Sequence, residues 1–232
     1  ILYQWVARMI MLGLYTTNEV PFKDVYIHGY VMAEDGSKMS KSLGNVINPI
    51  EVIEEYGSDA LRMGIIEGRS AGINRGYDRR KVIEARNFSN KLWNIARYIE
   101  DKVGDQKHLK SEPKPKTSAD HWILYRLQQS AKKISISLEA YRLSDAYETL
   151  YHFVWDDLAD WYIEASKVQT NPSMLAYTLE SVLKIAHPFA PFVTETIWQT
   201  LEWEPEGSML IAQEWPKSAK ADKDKVSEFE SI

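Results

Sequence analysis

The residue patterns predict a mainly α-helical protein that opens on a short α/β segment. Two observations carry this. From about residue 79 onward, apolar residues recur at helical spacing in several runs separated by proline- or glycine-marked breaks. Before that, residues 25–32 form a β-branched and aromatic run that stops at the turn Glu34-Asp35-Gly36-Ser37.

Along the chain, Leu2, Val6, Met9 and Ile10 have the spacing of a helix over residues 1–14, and Pro21 blocks its continuation. Residues 25–32 read as a strand. Asn48-Pro49-Ile50-Glu51 is a helix start: Asn48 can accept from free backbone N–H groups, Pro49 fits the first helical position, and Glu51 can reach back as in a capping box. Gly57 ends that helix, and a second short one begins at Ser58 or Asp59. Gly64, Gly68, Gly72 and Gly76 mark an aperiodic stretch, where a domain junction is expected. Val82, Ala85, Ser89, Leu92, Ala96 and Ile99 form one stripe of a helix over residues 79–101. Residues 104–118, with Pro113 and Pro115, read as a long exposed loop. Ile123, Leu127, Ala131, Ile134 and Leu138 define the next helix, and residues 144–167 a third. Asn171-Pro172 starts a fourth, ended by Pro188, and Pro191 opens a fifth through Thr200. Such antiparallel helices make a bundle. Residues 203–232 are charged and weakly patterned. The resulting division is 1–76, 77–216 and 217–232.

Composition narrows the classes. The chain has 232 residues, 44% hydrophobic and 26% charged, as in an ordinary globular protein. No apolar run approaches the ~18–20 residues of a membrane span. With no cysteine there is neither a disulfide framework nor a thiolate zinc site, which fits a reducing compartment. The first residue is Ile1, so the chain reads as beginning inside a fold, and its last residues, Phe229-Glu230-Ser231-Ile232, fall mid-pattern; continuation on both sides is expected. Net charge is −5, but residues 69–97 hold eight basic residues (Arg69, Arg75, Arg79, Arg80, Lys81, Arg86, Lys91, Arg97) against Asp78 and Glu84. Acid collects later, at Asp156, Asp157, Asp160 and Glu164. This asymmetry suits one face for an anionic partner, although a charge run by itself reads first as a solvated helix face.

The chemistry-bearing motif is Lys38-Met39-Ser40-Lys41-Ser42. Two lysines three apart, with small hydroxyl neighbours and Gly44 behind them, can hold a polyphosphate: ammonium groups neutralise charge on the leaving phosphates while hydroxyls and backbone N–H groups fix position. A plain solvated loop has the same composition.

That pentapeptide resembles the signature of the class I aminoacyl-tRNA synthetases, inside a longer match from Ile27-His28-Gly29 to Leu43-Gly44-Asn45-Val46-Ile47. Within the class, several segments are similar to the valyl-tRNA synthetases: residues 1–9, Tyr56-Gly57-Ser58-Asp59-Ala60-Leu61-Arg62, residues 85–94, Asp160-Trp161-Tyr162-Ile163-Glu164 and His187-Pro188-Phe189-Ala190-Pro191-Phe192. The resemblance runs to about Pro216. It implies the C-terminal part of a Rossmann-type α/β catalytic domain followed by an α-helical anticodon-binding bundle. It further implies ATP as substrate, magnesium arriving with the ATP, and valine and a valine-specific tRNA as partners. The protein is then expected to be a cytoplasmic monomer without membrane contact. By this likeness Lys41 contacts the ATP phosphates and Lys38 assists; Met39, Ser40 and Ser42 support the loop, and His28 and Gly29 lie beside the nucleotide. Arg79, Arg80, Arg86, Lys91 and Arg97 become candidates for the tRNA backbone, and no metal ligand is expected.

Departures exist. Asn48 and Asn74 stand where the valyl family more often has aspartate, which leaves an acidic role at position 74 in doubt. The family's His-x-Gly-His motif, amino-acid pocket and editing domain are expected upstream of Ile1, and a coiled-coil arm beyond the bundle. The chain alone is therefore expected not to activate valine. A non-catalytic tRNA-binding module, or isoleucyl or leucyl specificity, are the alternatives. Trp93, Trp122, Trp155, Trp161 and Trp198 are stacking platforms or core residues, Asp156, Asp157 and Asp160 a solvated face, and His187 a capping or packing residue.

Overall fold

The computed structural model describes residues 1–104, 114–203, 205, 207–217 and 219–231. The expected loop around Pro113 lies largely outside the described residues, as does Ile232.

The front of the chain is a π-helical turn, Leu2–Val6, continuing into α1 (Ala7–Thr17), which ends at Asn18 in the left-handed conformation. Only Val6 of this helix is buried; Trp5, Met11, Leu12, Leu14 and Tyr15 are exposed. The expected strand over residues 25–32 is much shorter. Only β1 (Val31–Met32) pairs, in parallel, with β2 (Arg75–Gly76). The rest of the run is extended beside residues 72–77, tied by Gly72 N–H to Ile27 O at 2.9 Å and Arg75 N–H to Tyr30 O at 3.2 Å. Among the described residues it has no other strand neighbour, so β propensity alone builds no ladder.

Helix α2 (Pro49–Tyr56) starts on Asn48, whose Oδ1 accepts from Ile50 N–H at 3.0 Å. Glu51 does not close a capping box on the backbone; its carboxylate takes the Asn48 amide instead, at 3.0 Å. Gly57, at φ 92°, turns the chain directly into α3 (Ser58–Ile66). Gly64 belongs to α3 and not to a loop. A Cβ there would lie 2.8 Å from Val82 Cγ2, so glycine is what lets α3 pack tightly on α4 (Arg79–Val103).

Helices α5 (Ser118–Glu139), α6 (Leu143–His152), α7 (Ile163–Val168), α8 (Pro172–Ala186) and α9 (Pro191–Leu201) complete the bundle. Between α6 and α7 the helix continues as a ten-residue π-helical stretch, Phe153–Tyr162. Helix α8 is buried on nearly every side because α4, α5 and α9 all pack on it. The predicted stripes face this core: Val82, Ala85, Leu92, Ala96 and Ile99 of α4 are buried, and so are Ile123, Leu127, Ala131 and Ile134 of α5. Each of the valine, leucine and isoleucine side chains among them contributes about 1.5–3 kcal/mol by leaving water. A helix that the sequence pattern did not announce, α10 (Lys223–Glu230), packs on α5 through Phe229 and Trp122, ring centroids 5.0 Å apart.

Two polar clamps organise the bundle. Asp120 is 2% exposed and is reached by Lys116 N–H, Thr117 N–H, the Asn171 amide and the Tyr162 hydroxyl, at 2.7–3.2 Å. It joins the start of α5, the π-helical stretch and the start of α8. The buried Asp59 of α3 caps α9, accepting from Phe192 and Val193 N–H at 3.2 and 2.7 Å. Arg62, one turn on, donates to the Pro188 and Phe189 carbonyls. The first segment is thus bonded to the α8–α9 corner.

Candidate functional site: a lysine loop and a basic helix face

The lysine loop leaves β1 through a turn in which the Asp35 carboxylate accepts both the N–H and the hydroxyl of Ser37, at 2.9 and 2.7 Å. These bonds hold the Asp35 carboxyl below its usual range. Residues 38–40 are extended, Lys41–Leu43 form one 3₁₀ turn, and Gly44 reverses the chain at φ 66°. One side chain holds this shape. Asn45 accepts from Ser40 N–H at 2.8 Å and donates to Ser37 Oγ at 2.9 Å and Lys38 O at 3.3 Å. Ser40 and Ser42 share a hydroxyl–hydroxyl bond of 2.7 Å. Met39 turns inward and packs on the core, which directs its neighbours outward.

Lys38 and Lys41 are both exposed, and neither makes an ion pair with a described residue. Lys38 Nζ stands 5.8 Å from the centroid of the Tyr30 ring. The loop therefore offers two uncommitted ammonium groups on a braced backbone, a donor set that fits a polyphosphate. His28 is exposed with Nδ1 at 2.8 Å from Gly29 O, so it is not an interior packing residue. Gly29 is required by close approach: a Cβ there would lie 1.9 Å from Ile73 O. Asn74, the departure noted above, accepts from Tyr30 N–H at 2.8 Å. An aspartate could accept the same bond, so the backbone role survives the exchange.

The candidate basic residues of α4 divide. Arg79 is committed to Glu55 at 2.5 Å and to the Tyr56 hydroxyl at 2.8 Å. Arg80 forks onto its own helix cap, Asp78, at 3.1 and 3.0 Å. Lys91 pairs with Asp160 at 3.3 Å and sits over the Trp155 ring. Arg86 and Arg97 are exposed and make no ion pair with a described residue. Arg86 lies 5.9 Å from the Tyr56 ring centroid. At 100° per residue, positions 79, 86 and 97 fall on one helix face.

The aspartates do not form one solvated face. Asp157 is 7% exposed and paired with Arg126 at 2.9 Å, while Asp156 takes His152. Burial raises the Asp157 carboxyl, against the lowering by Arg126. Trp122 and Trp198 are core, Trp93 and Trp155 half-buried, and Trp161 is 56% exposed. His187 is a packing residue bonded to Thr194 Oγ1 at 2.9 Å, its pKa lowered by burial.

Two family models match the chain: tRNA synthetases class I (I, L, M and V) over residues 1–76, and the anticodon-binding domain of tRNA ligase over residues 120–232. The chain belongs to the class I aminoacyl-tRNA synthetases. It is 44% identical over 230 residues to valine–tRNA ligase of Staphylococcus haemolyticus, covering 93% of this chain and 26% of that relative. With valine–tRNA ligase of Geobacillus stearothermophilus the identity is 42% over 231 residues, 94% and 26%. The chain thus spans about a quarter of the length of the curated relatives it matches. Among solved structures, the ternary complex of Agrobacterium radiobacter K84 agnB2 LeuRS with tRNA and LeuAMS aligns at TM-score 0.76 and 21% identity, over 94% of this chain and 27% of that one, a likeness of fold.

For a class I synthetase loop, sequence reasoning named the lysines and serines but gave Asn45 no role. The signal was there: an asparagine directly behind the left-handed Gly44 can turn its amide back on the loop. Tyr30 and Tyr56, the rings beneath the loop and helix cations, carried no separable signal, since aromatic residues in such segments read as core.

Proposed function

We propose that this chain supplies the phosphate-gripping loop and the tRNA anticodon-binding bundle of a valine–tRNA ligase, with residues 1–76 as the end of the catalytic domain, 77–216 as the bundle and 217–232 as the start of a further segment. The observation that carries the reading is the Asn45-braced loop with both lysine ammonium groups uncommitted. In the reaction, the valine carboxylate attacks the α-phosphate of ATP, the bond to the β-phosphate breaks, and pyrophosphate leaves. Lys41 neutralises the charge that grows on the leaving phosphates and Lys38 assists. Met39 anchors the loop, Ser40 and Ser42 keep its shape, and His28 and Gly29 flank the nucleotide. Because leaving-group charge peaks in the transition state, these contacts act on rate more than on ground-state affinity. Magnesium would travel with ATP: no group of three His, Asp or Glu side chains among the described residues is placed to hold a metal. The valyl group then passes to the terminal adenosine of tRNA.

For tRNA, Arg86 and Arg97 are the residues free to meet backbone phosphates, and Arg79, Arg80 and Lys91 would first exchange a carboxylate partner. The exposed apolar face of α1 supports a catalytic domain larger than residues 1–76, since such faces normally pack against more protein. No helix among the described residues is long and apolar enough to cross a membrane. A monomer working in the cytoplasm is the natural setting.

The test is valine-dependent exchange of pyrophosphate into ATP by the complete enzyme. Lys41→Ala lowers the exchange rate about 10²–10³-fold with little change in the apparent affinity for valine. Retention of the rate sinks the loop assignment. Exchange dependent on isoleucine or leucine instead of valine overturns the specificity.

A further inference from the structure

A cavity of about 510 Å³ opens between the end of α3, α4 and α6, and none of its lining residues belongs to the lysine loop. That is within the ~300–1,000 Å³ range of small-molecule sites. Its walls carry Glu67, Glu84, Glu148, Lys81, Tyr147 and Tyr151. Lys81 is already engaged, with the Glu67 carbonyl at 3.2 Å and its carboxylate at 3.4 Å. Glu84 and Glu148 make no ion pair with a described residue. The cavity is therefore net negative, which disfavours phosphate and nucleic acid.

A second observation is independent of the acids. Tyr147 is 1% exposed, its ring fixed edge-on to Phe88 and tilted against Phe189. Its hydroxyl makes no hydrogen bond to any described residue, although buried phenols normally find a partner. The hydroxyl is not sealed inside the core; the residue lines the cavity. Burial raises its pKa, and the Glu67 and Glu84 carboxylates raise it further. The fixed Tyr147 hydroxyl lines the same cavity as the unpaired Glu84 and Glu148 carboxylates, an arrangement that suits a hydrogen-bonding cation.

The chemistry selects the class. The carboxylates are not grouped closely enough to hold a metal ion. Separated carboxylates with tyrosine between them suit an elongated molecule whose ammonium groups reach the acids while its methylene chain lies on the rings. We propose that this cavity is a binding site for a linear aliphatic polyamine, held by Glu84, Glu148 and the Tyr147 hydroxyl. Because three helices line it, a bound amine ties the end of α3 to α4 and α6. The inference goes beyond the ligase reading and does not depend on it.

Spermidine is the probe, titrated calorimetrically into the 232-residue chain at 0.15 M salt, where weak surface pairing is screened. Saturable binding at one site is expected, with a rise in Tm that grows with spermidine concentration. Glu84→Gln with Glu148→Gln weakens binding about tenfold, and Tyr147→Phe about threefold. Glu228→Gln, on α10, leaves it unchanged. Should the double variant lose helical circular dichroism, Tyr147→Phe and the wild-type Tm shift decide. Absence of saturable heat up to millimolar spermidine overturns the site. So does equal weakening by Glu228→Gln, or displacement of spermidine by magnesium chloride at constant ionic strength, since either marks general charge screening.

Discussion

Asn45 and Asp120 do the same job in two different settings. Each is one polar side chain that gathers several donors or acceptors and fixes the local path of the chain. Around Asn45 the loop is half-buried or exposed, and its bonds compete with water. Around Asp120 the Tyr162 hydroxyl and the Asn171 amide are buried, and a bond lost there leaves a donor with little water to replace it, while the Lys116 and Thr117 N–H groups are part-buried. A bond exchangeable with water sets a shape at low cost and lets it go at low cost. A buried hub makes three elements fold as one. The lysine loop is built the first way, and the bundle that carries it the second.

The contrast can be broken by substitution. Asp120→Ala takes the acceptor from the buried Tyr162 hydroxyl, from one N–H of the Asn171 amide and from two part-buried backbone N–H groups, and is expected to cost about 2–4 kcal/mol; urea unfolding of the chain reads this out, and a cost below about 1 kcal/mol would dissolve the distinction. Asp59→Ala removes the cap of α9 and the bond from α3 to that corner, at about 2–3 kcal/mol in the same assay. Asn45→Ala should change global stability by less than about 1 kcal/mol while amide exchange at Ser40 accelerates well beyond that of the bundle. A cooperative loss of the whole fold from Asn45→Ala would place the loop inside the frame after all.

The smallest effect is one of pH. Burial holds the folded His187 pKa below its ordinary value of 6.5. The unfolded chain therefore binds the proton more readily. The contribution of a neutral His187 is fully present above pH 6.5 and is lost as pH falls through the folded value. His187→Gln should flatten the decline of Tm on the acid side of 6.5 without altering the plateau above it. An unchanged acid limb would show that His187 titrates alike in both states.

The bundle was legible because α4, α5, α8 and α9 each show a 3.6-residue stripe or a proline start that local chemistry dictates. The helix start at Asn48 was legible for the same reason. Residues 25–32 were over-read as strand because pairing depends on a neighbour, and only residues 72–77 provide one. Gly64 was misplaced because its reason is the approach of Val82, a contact no local pattern records. Helix α10 has too few apolar residues to form a stripe; it is held by Phe229 against Trp122. In the site, the division of α4 cations into committed and free depended on carboxylates far along the chain, such as Asp160 for Lys91.

The π-helical stretch Phe153–Tyr162 has a bearing on descent. A π turn carries more residues than an α turn, so a stretch of it is what a helix becomes when a residue is added and the two ends keep their places. Before it, His152 faces Asp156; within it, Asp157 turns to Arg126 and Tyr162 to Asp120. Deleting one residue there and restoring plain α geometry would leave the downstream part of the helix in its place, with the hydroxyl that Tyr162 supplies still set against Asp120. Homologous chains that differ by a single-residue gap in this helix should therefore keep the same residue against the buried aspartate, and the gap belongs inside the helix, not in a neighbouring loop.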